Sequence, residues 1–188
     1  MSTRQFQELT SPVLDELREV FNRIDKGEME SFVKLIMKTK RTFVVGVGRE
    51  GLSSRTFAMR LIHLGKTVHW IWDDTTPSIG RGDLLIANCG KGNIATVYHV
   101  AQKAKQAGGS VATITANPEG KIAKISLVVV HLPAEVWGDG IDVISSVQPI
   151  GCLFEQSLLV WGDMIVLNLM EKMGVSVENM SKRHRNVE

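Results

Sequence analysis

Five short apolar runs, at residues 42–47, 67–72, 83–88, 110–115 and 127–132, constrain this chain more than any other feature. Each is rich in β-branched residues and ends in glycine or polar side chains. A strand with one wet face alternates apolar and polar residues, whereas a continuous run is buried on both faces, as parallel strands in α/β proteins are. The segments between them are amphipathic: 52–64 stops at Gly65, and 93–107 stops at Gly108 and Gly109. Segment 73–82 is too short and polar for much of a helix, so a loop is expected there. A last helix is expected at about 150–172. This order predicts a doubly wound, five-stranded parallel sheet flanked by helices, in which ligands sit beyond the carboxyl ends of the strands. The loops to watch are therefore 46–51, 73–82, 88–93, 116–120 and 133–151.

Two helices precede the sheet. Ser11-Pro12 has the form of an N-cap and first helical residue, Val13, Leu14, Leu17, Val20, Phe21 and Ile24 recur at helical spacing, and Gly27 follows. Met29, Phe32, Val33 and Ile36 mark a second helix over about 29–38, giving an N-terminal helical hairpin with an apolar face. The chain of 188 residues is expected to be a single domain: 1–40 the hairpin, 41–173 the α/β core, and 174–188 a charged tail.

Composition narrows the function. With 22 basic and 20 acidic side chains the net charge is +2, too little for binding nucleic acid by general phosphate attraction. Residues 1–30 carry Arg4, Glu8, Asp15, Glu16 and Arg18 without a central apolar run, unlike a secretory signal. The most apolar stretch, 153–170, is interrupted by Glu155, Gln156, Gly162, Asp163 and Asn168. It is expected to be a buried helix rather than a membrane span. Cys89 and Cys152 form neither a disulfide framework nor a metal half-site, so a cytoplasmic setting is expected. His69, His99 and His131 have no ligand spacing, and no metal is expected.

Two glycine turns stand out. Gly46-Val47-Gly48-Arg49-Glu50-Gly51 follows the first run, and Cys89-Gly90-Lys91-Gly92-Asn93 follows the third. Each opens a helix, where main-chain N–H groups gather at an anion. The first turn is also a GxGxxG string, which leaves open a dinucleotide site or a purely structural turn. Between them the turns can clasp one anionic ligand, with Lys91 supplying charge and Asn93 capping the helix. Lys91 as a solvated loop lysine is the plainer alternative. Cys89 beside Lys91 is a candidate for a depressed thiol pKa.

Several blocks resemble one family. Gly48-Arg49-Glu50-Gly51, Phe57-Ala58-Met59-Arg60-Leu61-Ile62-His63-Leu64-Gly65, Thr75-Thr76-Pro77-Ser78-Ile79-Gly80, Gln148-Pro149-Ile150-Gly151-Cys152-Leu153-Phe154-Glu155 and the ending Arg183-His184-Arg185-Asn186-Val187-Glu188 look like the 6-phospho-3-hexuloisomerases, which are sugar isomerase (SIS) domains of flavodoxin-like form. The resemblance implies interconversion of 3-keto and 2-keto hexose 6-phosphates through a cis-enediol, without cofactor or metal. It implies Glu155 as the base, with His63 and His184 as further catalytic candidates. Gly48, Arg49, Glu50, Gly51, Thr75, Thr76, Cys89, Lys91, Gly92 and Asn93 would be substrate-binding. It also suggests a homo-oligomer, a dimer or tetramer, whose tail reaches a neighbouring subunit's site. A dipole-stabilising role for Glu155 and His63 at their helix ends is the alternative that the residues alone allow.

This chain departs from the family's pattern at the loops. Glu50 stands where serine usually follows the arginine, and Cys89-Gly90-Lys91-Gly92-Asn93-Ile94 stands where Ser-Gly-Ser-Gly-Glu-Thr is usual. A carboxylate beside a phosphate dianion is repelled on the order of several kcal/mol unless neutralised, and Lys91 is the available cation. The alternatives are therefore a different phosphosugar, a sulfonated or carboxylated sugar, or a sugar-phosphate-binding sensor.

Overall fold

The computed structural model describes residues 6–138 and 140–187. Arg4, the first five residues of the expected hairpin, and Glu188 of the C-terminal block lie outside the described residues.

The elements run α1 (Phe6–Arg23), α2 (Lys26–Lys38), β1 (Arg41–Val45), α3 (Gly48–His63), β2 (Thr67–Trp70), β3 (Leu84–Asn88), α4 (Ala95–Gln106), β4 (Ser110–Thr115), β5 (Val128–His131), α5 (Cys152–Met173) and α6 (Val177–Ser181). All five strands are parallel, in the order β2-β1-β3-β4-β5. Each expected strand is present within two residues of its predicted ends.

Burial on both faces follows from what covers them. Val44, Leu84, Ile86, Ala112 and Ile114 point to one face, packed under α1, α2, α3 and α5. Phe43, Val45, Leu85, Ala87 and Val111 point to the other, under α4 and the 3₁₀ turn Ala123–Ile125. The first face is anchored by Phe32, Phe57 and Trp161, with Phe32 and Trp161 centroids 5.0 Å apart. Rings buried in this way each contribute about 1.5–3 kcal/mol by transfer from water. Among the described residues α4 is the one α-helix on the second face, because the connection from β2 to β3 carries no helix, as expected for 73–82.

Four local expectations are corrected. The first helix does not begin at Pro12 but runs through it from Phe6. The turn ahead of the proline is solvent-exposed, Phe6 to 82%, so a weakened hydrogen bond there disturbs no packing. Gly27 does not end α1; it lies in the first turn of α2, whose N-cap is Asp25, with the Glu28 N–H donating to Asp25 Oδ1 at 2.9 Å. Helix α3 begins at Gly48, inside the glycine turn. The tail is not merely a charged run: Ser176 and Asn179 form a reciprocal capping box that starts α6.

By length and composition α5 could cross a membrane. In the fold it is a core helix, with Leu153, Phe154, Leu158, Trp161, Ile165, Val166 and Leu169 buried against α1, α2 and α3.

Order 2-1-3 places β1 and β3 side by side with their crossovers on opposite faces. This is a topological switch point, and a crevice opens beyond the carboxyl ends of the two strands. The turns at 46–51 and 88–94 form its walls.

Candidate active site

A cavity of about 260 Å³ lies in that crevice, bounded by Glu50 from α3, Lys91 and Ile94 from the turn after β3, Val136 and Trp137 from the long connection, and Ile150, Gly151 and Glu155 at the head of α5. Two carboxylates and one ammonium are its charged groups among the described residues.

Glu155 reaches the cavity from the first turn of α5. That helix starts from two consecutive left-handed residues, Ile150 (φ 54°) and Gly151 (φ 74°). A β-branched residue pays a steric penalty at positive φ, so the chain holds this turn against local strain. Arg49 Nη1 lies 2.6 Å from Glu155 Oε2. The same nitrogen donates to Cys152 Sγ, 2.9 Å away, and Glu155 Oε2 is buried beside it. Burial raises the Glu155 pKa and the Arg49 charge pulls it back, with burial the larger effect.

Glu50 lies opposite. Its carboxylate accepts the Gly90 N–H at 3.0 Å, bridging the two glycine turns. Burial pushes its pKa up to about 7; the Gly90 hydrogen bond and Lys91 act downward, while Glu155 adds to the rise. Lys91 carries its ammonium over the Trp137 ring, 4.9 Å from the centroid.

The remaining site residues named from sequence divide. Gly48 opens α3 with φ 57° and open space where a Cβ would stand. Gly51 and Gly92 face inward: a Cβ on Gly51 would meet the Gly46 carbonyl at 3.0 Å, and one on Gly92 would meet the Asn117 carbonyl at 3.0 Å. Close backbone packing accounts for both glycines. Asn93 does not cap α4, whose N-cap is Ile94 with no side-chain hydrogen bond; Asn93 Oδ1 instead accepts the Lys121 N–H at 2.8 Å. Cys89 is fully buried, its sulfur facing the N–H groups of Ile94, Gly92 and Asn93, and burial raises its pKa to about 11. The expectation of a depressed thiol pKa is thus overturned, because desolvation outweighs those three donors.

Thr75 and Thr76 are not in this cavity. Thr75 donates to Asp73 Oδ1 at 2.7 Å and Thr76 to the Trp70 carbonyl at 2.6 Å, both in a hollow on the other side of α3 with Arg55, Met59 and Ile62. His63 and His184 are apart from it as well. They face each other with ring centroids 5.2 Å apart, at the end of a groove of about 650 Å³ shared with Arg60, Asp163 and Met180. The Arg183 guanidinium donates to the His63 carbonyl at 3.1 Å and ties the tail there. Burial is the main cause of a lowered His63 pKa, with Arg60 and His184 adding to it. His63 is thirteen helical steps from Glu50 along α3, roughly 20 Å at 1.5 Å per residue.

The model of the SIS domain family matches residues 35–159. The chain belongs to the SIS domain family. This SIS domain is 36% identical over 181 residues to the 3-hexulose-6-phosphate isomerase of Bacillus subtilis, covering 96% of this chain and 98% of that one. It is 38% identical to the enzyme of the same name from Mycobacterium gastri, covering 95% and 89%. Among solved structures, a Methanococcus jannaschii protein whose crystal structure was taken to imply 3-hexulose-6-phosphate isomerase function superposes with a TM-score of 0.84 at 30% identity, covering 97% of this chain and all of that one. The SIS core thus contains both glycine turns and Glu155, while the His184 tail lies beyond the matched residues.

Trp137 and Val136 were not among the residues singled out from sequence, and Ile150 appeared only within the Gln148–Glu155 block, without a site role. Their loop was singled out, as the longest connection at a strand's carboxyl end, but its irregular spacing does not say which side chains turn inward.

Proposed function

We propose that this chain is a sugar-phosphate isomerase of the 3-hexulose-6-phosphate isomerase type, exchanging 3-keto and 2-keto hexose 6-phosphates through a cis-enediol with Glu155 as the base. The observation that carries this is a largely buried Glu155 carboxylate held at the cavity wall with Arg49 paired to it. Such a carboxylate is suited to take and give back a proton, because burial raises its pKa against the pull of the Arg49 charge. Glu155 removes the C2 proton as the C2–C3 double bond forms and the C3 carbonyl oxygen takes a proton from solvent to become a hydroxyl. Protonated Glu155, in exchange with solvent, then delivers a proton to C3 as the O2 hydroxyl releases its proton to solvent and C2 becomes the carbonyl. Arg49, adjacent to Glu155, keeps the carboxylate ionised between turnovers, and Lys91 is the cation available to the phosphate.

His63 and His184 lie too far from Glu155 in their own chain to share its cavity. We assign them to a neighbouring subunit's site in a homo-oligomer. Leu52, Met59 and Ile62 on α3 and Leu159, Met164 and Leu167 on α5 are exposed apolar residues that such an assembly would cover. The hairpin and tail then belong to the same functional unit as the core. Cys89 and Cys152, both unpaired, suit the reducing cytoplasm.

The test is incubation in heavy water with a panel of ketose phosphates and acidic sugars, followed by NMR. Deuterium entering at C2 or C3 of a ketose phosphate is the expected result. Thermal stabilisation by a sugar phosphate without deuterium uptake would replace the enzyme by a sensor.

A further inference from the structure

The crevice between the two glycine turns already holds a carboxylate of the protein's own. Glu50 Oε2 accepts the Gly90 N–H, and Oε1 is so close that a Cβ on Gly90 would stand 2.9 Å from it. Further along the turn the Gly92 N–H donates to the Cys89 carbonyl at 2.9 Å, and those of Asn93 and Ile94 face the Cys89 sulfur. Gly90 is the main-chain donor of this turn that Glu50 occupies at the cavity.

The surroundings of Glu50 are defined on every side. Val136 and Phe154 form an apolar wall at Gly90. Glu155 faces it from α5 and Lys91 from the turn after β3, and Arg49, next to it on α3, is drawn toward Glu155. Cys89 below is a neutral thiol. A phosphate dianion entering this space meets one ammonium and two carboxylates, and an ionised Glu50 both repels it and retains the hydrogen it needs.

We propose that Glu50 sets the specificity of this site by competing with the substrate's phosphate for the Gly90 N–H, so that a phosphate dianion binds only with Glu50 protonated. The inference rests on the sugar-phosphate reading above. The proton comes from solvent and adds to the carboxylate; the resulting O–H donates to a phosphate oxygen, and no carbon or phosphorus bond changes. A protein with serine at this position has no such requirement. Because burial already raises the Glu50 pKa to about 7, the proton is supplied readily on the acid side of neutrality and withheld on the alkaline side.

The experiment is calorimetric titration of the intact protein with fructose 6-phosphate from about pH 6 to 9, in paired buffers of different ionisation heat. It is run on wild type, Glu50→Gln and Glu50→Ser. Glu50→Gln keeps an oxygen for Gly90, and Glu50→Ser supplies a second variant should the first fail to fold. Wild type is expected to take up close to one more proton per sugar than the variants above about pH 7. Its dissociation constant, relative to that of Glu50→Gln, should rise about tenfold per pH unit there and stay level below. The ligand's own ionisation near pH 6 is common to all three proteins and cancels in the ratio. A ratio independent of pH overturns the proposal while leaving the isomerase reading intact if deuterium exchange is seen. Variants that bind while wild type binds at no pH also overturn it, since Glu50 would then be an outright block. No binding and no exchange by any of the three removes both readings together.

Discussion

Arg49 Nη1 stands 2.6 Å from Glu155 Oε2 and also lies 2.9 Å from Cys152 Sγ, to which it donates. The charge of the guanidinium favours the ionised carboxylate and opposes the burial that raises its pKa. Glu155→Gln removes the proton acceptor and keeps the shape. Turnover is expected to fall by about 10²–10⁴-fold, the usual worth of a general base, with ligand affinity within a few fold of wild type. Steady-state kinetics beside calorimetry checks the split; a variant that isomerises at near wild-type rate removes Glu155 as the base.

Glu50 gives a stability prediction that needs no substrate. Its folded pKa is raised from 4.5 to about 7, so ionisation is penalised in the folded state. Below pH 4.5 the group is neutral folded and unfolded, and nothing is lost; as pH rises through 7 the full penalty develops. Glu50→Gln escapes it. The variant should gain stability over wild type as pH goes from about 5 to 7, levelling at about 3 kcal/mol. Denaturant melts across this range measure the difference, and a difference that does not change with pH contradicts the burial assigned to Glu50.

Asp83, at the foot of β3, titrates in the opposite direction. It accepts two bonds from the Arg41 guanidinium, at 3.0 and 2.6 Å, and one from the Gly80 N–H, at 2.8 Å. The Arg41 hydrogen bonds are the main reason its pKa is lowered. Its contribution is present above the unfolded pKa, about 3.9, and is lost as pH falls through the lower folded value. Asp83→Asn should destabilise by about 1.5–3 kcal/mol at neutral pH, and the gap from wild type should narrow in acid.

Gly120 lies against Gly92 so closely that an added Cβ would be 2.8 Å from the Gly92 Cα and carbonyl oxygen. Both are backbone atoms and cannot swing away. Gly120→Ala is expected to lose about 1–3 kcal/mol and to displace the turn carrying Lys91. An unchanged melting temperature would show that the two loops separate at no cost.

The strands were legible because burial on both faces writes a continuous apolar run, and the crevice because strand order decides where crossovers part. Glu50, Lys91 and Glu155 converge there for that reason. Their environments were less legible: nothing local in Cys89-Gly90-Lys91 says that the thiol is buried, and Asn93 has the chemistry of a cap but bonds to Lys121. Thr75 and Thr76 look like ligand-binding hydroxyls yet close their own turn. Proline and glycine misled at α1 and α2, where Pro12 is tolerated by an exposed turn and Gly27 sits just after a strong Asp25 cap. Trp137 and Ile150 belong to a connection without periodicity, whose inward side is settled by tertiary packing.

The ammonium of Lys91 resting over Trp137 has an optical consequence. Trp137 is 72% exposed and stands at the cavity mouth, whereas Trp161 is sealed in the core. An anion that draws Lys91 off the indole removes a positive charge from the face of a solvent-exposed ring, so the protein carries at its entrance a native fluorophore whose emission registers where that charge is pointing.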